Sequence, residues 1–386
     1  MNNLSKRLQS LPPYLFVEID KAKRKAREEG RDVIDLGIGD PDQPTPEYII
    51  RSLQAAAEDP ANHRYALDAG MPALRREIAE WFRKRFGVAF DPQNEILPTI
   101  GSKEAIAHLP LAFLNSAEVS LVPDPCYPPY RNGTTLAGGV PQMMPLRPEN
   151  AFLPDYTEVP REVLSRARLL YLNYPNNPTA ACADKDFYAQ TVDFARRNGL
   201  IIVSDLAYSE IAYDGYLPPS IFEVEEAREC AIELHSLSKT FNMTGWRIGW
   251  ACGNSRILTG LAKVKANVDS GIFSAVQVAA ITALKESDEH IRAMRAMYQK
   301  RRDTLLAGLA GLGWEVPSVK ATFYVWIKVP GENDSIRYAS RILREADIVV
   351  TPGVGFGEAA EGYIRMALTV PEERLREAVE RLGKLS

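Results

Sequence analysis

The chain has 386 residues, 46% of them hydrophobic and 25% charged, with a formal net charge of −4. That length calls for two domains, or a large one with a smaller companion, and the mixed charges lack the clustered basic footprint of a nucleic-acid binder. No apolar stretch suits a signal peptide or a membrane span, and Cys126, Cys182, Cys230 and Cys252 form no CxxC pair marking a zinc site or disulfide framework, so no metal and a reducing cytoplasm are expected.

Val17 to Glu29 (VEIDKAKRKAREE) has helical composition and stops at Gly30, a C-cap residue. Asp32 to Leu36 reads as a short strand running into the irregular loop Gly37-Ile38-Gly39-Asp40-Pro41. From about residue 46 to 280, helical stretches alternate with short apolar runs: Glu95–Leu97, Glu118–Val122, Leu169–Leu172, Leu200–Ser204 and Ala231–Leu234. Such alternation predicts an α/β fold with a parallel sheet between helices. A long helical region, Ala275 to Leu312, comes next. After it a strand-like run (Thr322–Val329), a helix (Ser335–Glu345), a short strand (Ile348–Val350) and a last helix (Pro371–Leu385) suggest a smaller α+β domain. Residues 46–280 are therefore assigned to the large domain, and 1–45 with 281–386 to a small domain built from both termini.

In open parallel sheets, ligands bind at the carboxyl ends of strands, and four polar strings fall at such places. Thr99-Ile100-Gly101-Ser102-Lys103-Glu104 precedes an apolar helix. Glycine, a hydroxyl and free N–H groups at a helix start make an anion site, although Ser102 also suits an ordinary helix cap. Asn173-Tyr174-Pro175-Asn176-Asn177-Pro178-Thr179 brackets amides with prolines, which force a rigid, non-helical loop. A surface turn would read alike, but this loop directly follows the apolar Leu169–Leu172. In Ile201-Ile202-Val203-Ser204-Asp205 a carboxylate closes an apolar run. Kept charged there it needs a cation, such as a protonated pyridine nitrogen, unless Asp205 merely caps a helix. Leu234-His235-Ser236-Leu237-Ser238-Lys239-Thr240 sets a lysine among hydroxyls at a strand end, with Arg247 following. An amine becomes a Schiff-base nucleophile when burial and a nearby cation depress its pKa. Ser236, Ser238 and Arg247 are donors suited to a phosphate.

Together these strings ask for one ligand carrying a phosphate, a pyridinium and an aldehyde. In their order along the chain they resemble the fold-type I pyridoxal-phosphate enzymes, specifically the class I/II aminotransferases, over about Leu11 to Glu373. The resemblance implies a large domain with a mostly parallel central sheet flanked by helices, plus a smaller α+β domain. It further implies pyridoxal 5'-phosphate as cofactor, amino acids and 2-oxo acids as substrates, and a homodimer with shared active sites. By it Lys239 matches the lysine that carries the cofactor, and Asp205 the acid that pairs with the pyridine nitrogen. Asn177 and Tyr208 match donors to the ring's phenolic oxygen, and Tyr127 the aromatic stacked on the ring. Ser102, Lys103, Ser236, Ser238 and Arg247 match positions at or near the phosphate. Tyr65 resembles a tyrosine that reaches the neighbouring subunit's phosphate, and Arg365 the arginine that grips the substrate α-carboxylate.

Finer strings are similar to LL-diaminopimelate aminotransferases of lysine biosynthesis: Leu11-Pro12-Pro13-Tyr14-Leu15-Phe16, Gly101-Ser102-Lys103-Glu104, Ser238-Lys239-Thr240-Phe241-Asn242-Met243 and Val268-Asp269-Ser270-Gly271. That resemblance implies Tyr14, Gly39 and Lys103 close to the substrate, and 2-oxoglutarate as the exchange partner. Looser versions of the strings occur in aminotransferases for aspartate, alanine or aromatic acids. A carbon–sulfur β-lyase on the same fold, or a ligand-sensing domain, are the other readings. Three positions depart from the pattern. Ala180 stands where glycine is usual, so the loop is expected to avoid a positive φ there; Cys126 replaces a common glycine; and Ala66-Leu67-Asp68 follows Tyr65 where a proline is expected.

Overall fold

The computed structural model describes residues 4–12, 15–331 and 333–385. Its strands, in chain order, are β1 (Ile34–Asp35), β2 (Ile96–Thr99), β3 (Val119–Asp124), β4 (Val140–Pro145), β5 (Ala167–Asn173), β6 (Ile201–Asp205), β7 (Ala231–Ser236), β8 (Gly249–Gly253), β9 (Tyr324–Lys328), β10 (Ile348–Val349), β11 (Thr351–Pro352) and β12 (Tyr363–Ala367). Seven of them form one sheet in the order β2-β8-β7-β6-β5-β3-β4. From β7 to β4 every pairing is parallel, while β8 runs against both β2 and β7. The strands β3 and β5 to β7 are buried almost throughout, as covering by helices on both faces requires.

Side chains alternate between the two faces of this sheet. Leu170, Leu172 and Ile202 join Leu74, Phe82 and Trp250 in one core. Leu169, Tyr171 and Val203 join Ile106, Tyr130 and Leu234 in the other. The covering helices carry conventional ends. Asp184 caps the helix Lys185–Asn198 through the N–H of Phe187, and Gly199 closes it in the left-handed region.

A separate core collects Ile34, Leu36, Phe323, Val325, Ile364 and Met366. It lies against the antiparallel sheet β11-β12-β9 and the parallel pair β1-β10. The chain just after β1 ties these together: Leu36 N–H donates to Val349, and its carbonyl accepts from Ala367 N–H. Residues 34–36 thus pack on C-terminal ones.

Several features differ from the sequence expectation. The helical region after Ala275 breaks at Glu286 into Ser274–Lys285 and Ser287–Gly311. The longer of these spans both cores, with Ile291 in the first and Met294, Tyr298, Leu305 and Leu309 in the second. The sequence pattern does not predict the strands β4, β8, β11 and β12. Pro141 and Pro145 disguise β4, and its edge position tolerates them; Gly249 and Gly253 disguise β8.

Candidate active site

The carboxyl ends of β5, β6 and β7 place Asn173, Asp205 and Ser236 side by side, with Asn173 in register with Asp205. Asn173 was not singled out from sequence, yet it organises the loop behind it. Its Nδ2 donates to the Asp205 carbonyl (2.8 Å), and its Oδ1 accepts from Asn177 N–H (2.8 Å). Asn176 Oδ1 then accepts from both the N–H and the hydroxyl of Thr179. Closing this turn, Ala180 N–H donates to the Asn176 carbonyl with Ala180 at φ +59°. The expectation that Ala180 avoids a positive φ is therefore wrong. The buried hydrogen bonds of the loop impose the left-handed conformation, against a cost of about 1–2 kcal/mol.

Asp205 is only 5% exposed. Its Oδ2 accepts from Tyr130 Oη at 2.7 Å, while Oδ1 is buried with no hydrogen-bond partner among the described residues. Burial pushes the carboxyl up to about 6, against the hydrogen bond from Tyr130, the N–H of Ala207 and the nearby His235. A buried acceptor left unmet costs on the order of 1–3 kcal/mol, and a protonated ring nitrogen is the kind of donor that would satisfy it. Tyr130 is held in place by stacking on Tyr171, with ring centres 5.1 Å apart. Sequence reasoning missed this residue; its signal is a second tyrosine one helical turn after Tyr127.

Lys239 projects from the short helix Leu237–Thr240, whose N-cap Ser236 accepts from Ser238 N–H through its hydroxyl. Its Nζ donates to the Gly39 carbonyl at 2.7 Å. Burial lowers the amine to about 8; Asp40 opposes that shift, and Arg365 and Arg247 reinforce it. An amine in that range exposes a useful neutral fraction as nucleophile or base near neutral pH. Position 39 must be glycine because a Cβ there would overlap the Tyr324 hydroxyl.

Opposite Asp205 lies an end built for an anion. The helix Ser102–Phe113 starts at Ser102 with Gly101 as its N-cap, at φ +74°. The alternative of Ser102 as cap therefore fails, which leaves its hydroxyl unspent on the helix. The helix dipole and the Arg247 side chain both favour negative charge here. Arg247 itself sits at φ +55° and donates from Nη1 to the Thr244 carbonyl.

Arg365 enters on β12 and is 3% exposed. Its Nη1 donates to Asn177 Oδ1 (2.7 Å) and its Nη2 to the Gly37 carbonyl (2.8 Å). The guanidinium lies over the rings of Tyr324 and Phe356, at 4.1 and 4.7 Å. Tyr208 Oη meets Tyr324 Oη at 3.1 Å.

One cavity of about 240 Å³ gathers all the residues singled out from sequence except two. Tyr65 stands outside it, 96% exposed, and Tyr14 falls outside the described residues. Thr244, Tyr324 and Phe356 line the cavity without having been foreseen. Two acidic clusters elsewhere have internal partners. Lys265 Nζ sits 3.1 Å from Glu104 and 2.7 Å from Asp269, and Glu233 accepts from Ser220, Ile221 and His235. Among the described residues no helix is long and apolar enough to cross a membrane.

The cavity thus offers an amine of lowered pKa, a half-satisfied carboxylate, an anion-binding end and an arginine, which together suit a phosphorylated pyridine aldehyde and an α-amino acid. A family model for aminotransferase class I and II matches residues 31–382. An LL-diaminopimelate aminotransferase of Desulforudis audaxviator is 51% identical over 98% of this chain and 96% of that protein. One of Aquifex aeolicus is 50% identical over 100% of both chains. Among solved structures, apo-BacF from Bacillus subtilis superposes with a TM-score of 0.96 at 36% identity, covering 100% of this chain and 98% of that one. The Thermus thermophilus aspartate aminotransferase with maleate gives 0.93 at 33%, covering 100% of each. This chain belongs to the class I and II aminotransferases and is a pyridoxal-phosphate-dependent transaminase.

Proposed function

We propose that this transaminase exchanges the amino group of LL-diaminopimelate with 2-oxoglutarate, in the cytoplasm and as a homodimer with shared active sites. The observation behind the proposal is the convergence of Lys239, Asp205 and Arg365 on one cavity. It occurs in a chain whose relatives at 51% and 50% identity are named LL-diaminopimelate aminotransferases.

Pyridoxal phosphate, when bound, supplies an electron sink for the pair left as the Cα–H bond breaks. Lys239 Nζ is its covalent anchor and the base that takes the Cα proton and returns it. Asp205 Oδ1, lacking a partner among the described residues, would accept the ring-nitrogen proton's hydrogen bond. Tyr127, which lines the same cavity, would help hold the ring. Tyr208 and the amide N–H₂ of Asn177 donate to the phenolic oxygen; the Asn177 Oδ1 is already engaged by Arg365. Ser102, Ser236, Ser238 and Arg247 bind the phosphate, with Lys103 beside them. Arg365 clamps the α-carboxylate and aligns the Cα–H bond, so much of the rate comes from positioning. Gly39, Lys103 and Tyr14 belong near the substrate, and Tyr65, so exposed in one chain, reaches the phosphate of a second copy. The division into residues 46–280 and a small domain of 1–45 with 281–386 belongs to the same proposal.

An amino-donor screen with 2-oxoglutarate as acceptor tests the assignment, using LL-diaminopimelate, glutamate, aspartate, alanine and tyrosine. LL-diaminopimelate is expected to give the highest kcat/KM, and a clear preference for aspartate or tyrosine over it would sink the proposal. Release of pyruvate and ammonia from cystathionine without an acceptor would instead mark a β-lyase.

A further inference from the structure

Tyr324, on β9, is 2% exposed and touches three parts of the site at once. Its hydroxyl lies 3.1 Å from Tyr208 Oη, its ring lies under the Arg365 guanidinium at 4.1 Å, and Gly39 closes against its hydroxyl. Burial and the neighbouring Tyr324 hold the Tyr208 hydroxyl well above its ordinary range, so Tyr208 keeps its hydrogen. A phenol has one hydrogen to give. If Tyr208 gives it to the phenolic oxygen of the cofactor, Tyr208 Oη is left as an acceptor, and Tyr324 supplies the donor within reach.

We propose that Tyr324 is a positioning residue: its hydroxyl donates to Tyr208 Oη and so turns the Tyr208 hydrogen toward the cofactor, while its ring supports the Arg365 guanidinium. This rests on the cofactor being anchored at Lys239. Such a chain of hydroxyls strengthens each member by roughly 10–30%, and the strengthened Tyr208 bond stabilises the cofactor oxygen in its deprotonated form. The ring side of Tyr324 gives Arg365 a flat, apolar support on which a cation is favoured. The charged and titratable groups facing the pair are Arg365 and Asp205, Lys239 and Asp40, and Tyr298 with Asp42 and Arg301 behind it. All of them are retained in Tyr324→Phe.

The test is a pH titration of the absorbance of the lysine-bound cofactor in Tyr324→Phe holoenzyme. Losing the cooperative share of a charge-assisted bond moves the titration upward by about 0.1–0.7 pH unit. An unmoved or downward titration overturns the relay. Tyr324→Leu removes the ring as well. Relative to Tyr324→Phe, it is expected to raise the amino-donor KM a further roughly 2–30-fold, with a smaller effect on kcat. Equal KM values in the two variants overturn the supporting role of the ring. The phenylalanine variant keeps the shape of the core, so it tests the relay even if the leucine variant fails to fold. A wild-type protein with no lysine-bound absorbance would refute the anchoring at Lys239, an outcome distinct from an unshifted titration.

Discussion

Asp205→Asn separates what the site costs the fold from what it does for catalysis. The folded cofactor-free protein holds the Asp205 carboxyl near 6, against an ordinary value of 3.8, because the group is buried. A raised carboxyl favours its protonated form, so the contribution of Asp205 to folded-state stability is greatest at low pH and falls as pH rises from about 4 through 6. The difference of 2.2 units (6 − 3.8) corresponds to about 3 kcal/mol at full ionisation. Of this, about 2 kcal/mol develops between pH 4.5 and 8. Asparagine has the same shape and no charge. Its amide also leaves one buried polar atom unmet, but that penalty does not change with pH.

The difference in stability between Asp205→Asn and wild type should therefore rise by about 2 kcal/mol from pH 4.5 to pH 8. Urea unfolding of the two cofactor-free proteins at both pH values measures this double difference, in which packing changes cancel. A difference that stays flat within about 0.5 kcal/mol, smaller than the titration of one buried carboxyl can produce, would refute the reasoning. The same variant is expected to keep some cofactor yet lose several orders of magnitude in kcat. Near-normal catalysis would mean that the ring nitrogen is held some other way.

Lys239→Ala is expected to abolish turnover and the absorbance of lysine-bound cofactor after desalting; transamination at a normal rate would end the assignment of the anchor. Ala180→Gly relieves a left-handed alanine at φ +59° and should raise stability by about 1 kcal/mol with kcat unchanged, as read from urea midpoints. A loss of stability would show that the Ala180 methyl packs usefully. Lys265→Met leaves the partly buried Glu104 and Asp269 without their buried cation and should cost about 3–5 kcal/mol. An unchanged unfolding curve would mean that the two carboxylates find another partner or take up protons cheaply.

Much of the candidate site is legible in one dimension because its chemistry sits where local patterns change. Lys239 and Asp205 each follow an apolar run, and a polar residue closing a buried strand is conspicuous whatever the rest of the chain does. Alternation of apolar runs with helical stretches likewise reports the parallel sheet, since both signals span only a few residues. Elements whose residues contradict their conformation stay hidden: β4 with its two prolines, β8 bounded by glycines, and the break at Glu286 inside an otherwise continuous helical pattern. Ala180 shows the same limit. Its intrinsic preference argues against a positive φ, and the hydrogen bonds of Asn176 override it.

Residue types and their local placement name the kind of chemistry: an amine, a carboxylate and an anion-binding helix start, each at the end of a predicted strand or the beginning of a predicted helix. The tuning of those groups comes from contacts between distant segments. Tyr130 reaches Asp205 across 75 residues, Tyr208 meets Tyr324 across 116, and Arg365 reaches Asn177 across 188 and Gly37 across 328. Periodicity carries information over a few turns of helix or a few strand residues. The pKa of Lys239, the unmet oxygen of Asp205 and the aim of Arg365 arise from burial and from partners that only the packing of the two cores brings within bonding distance.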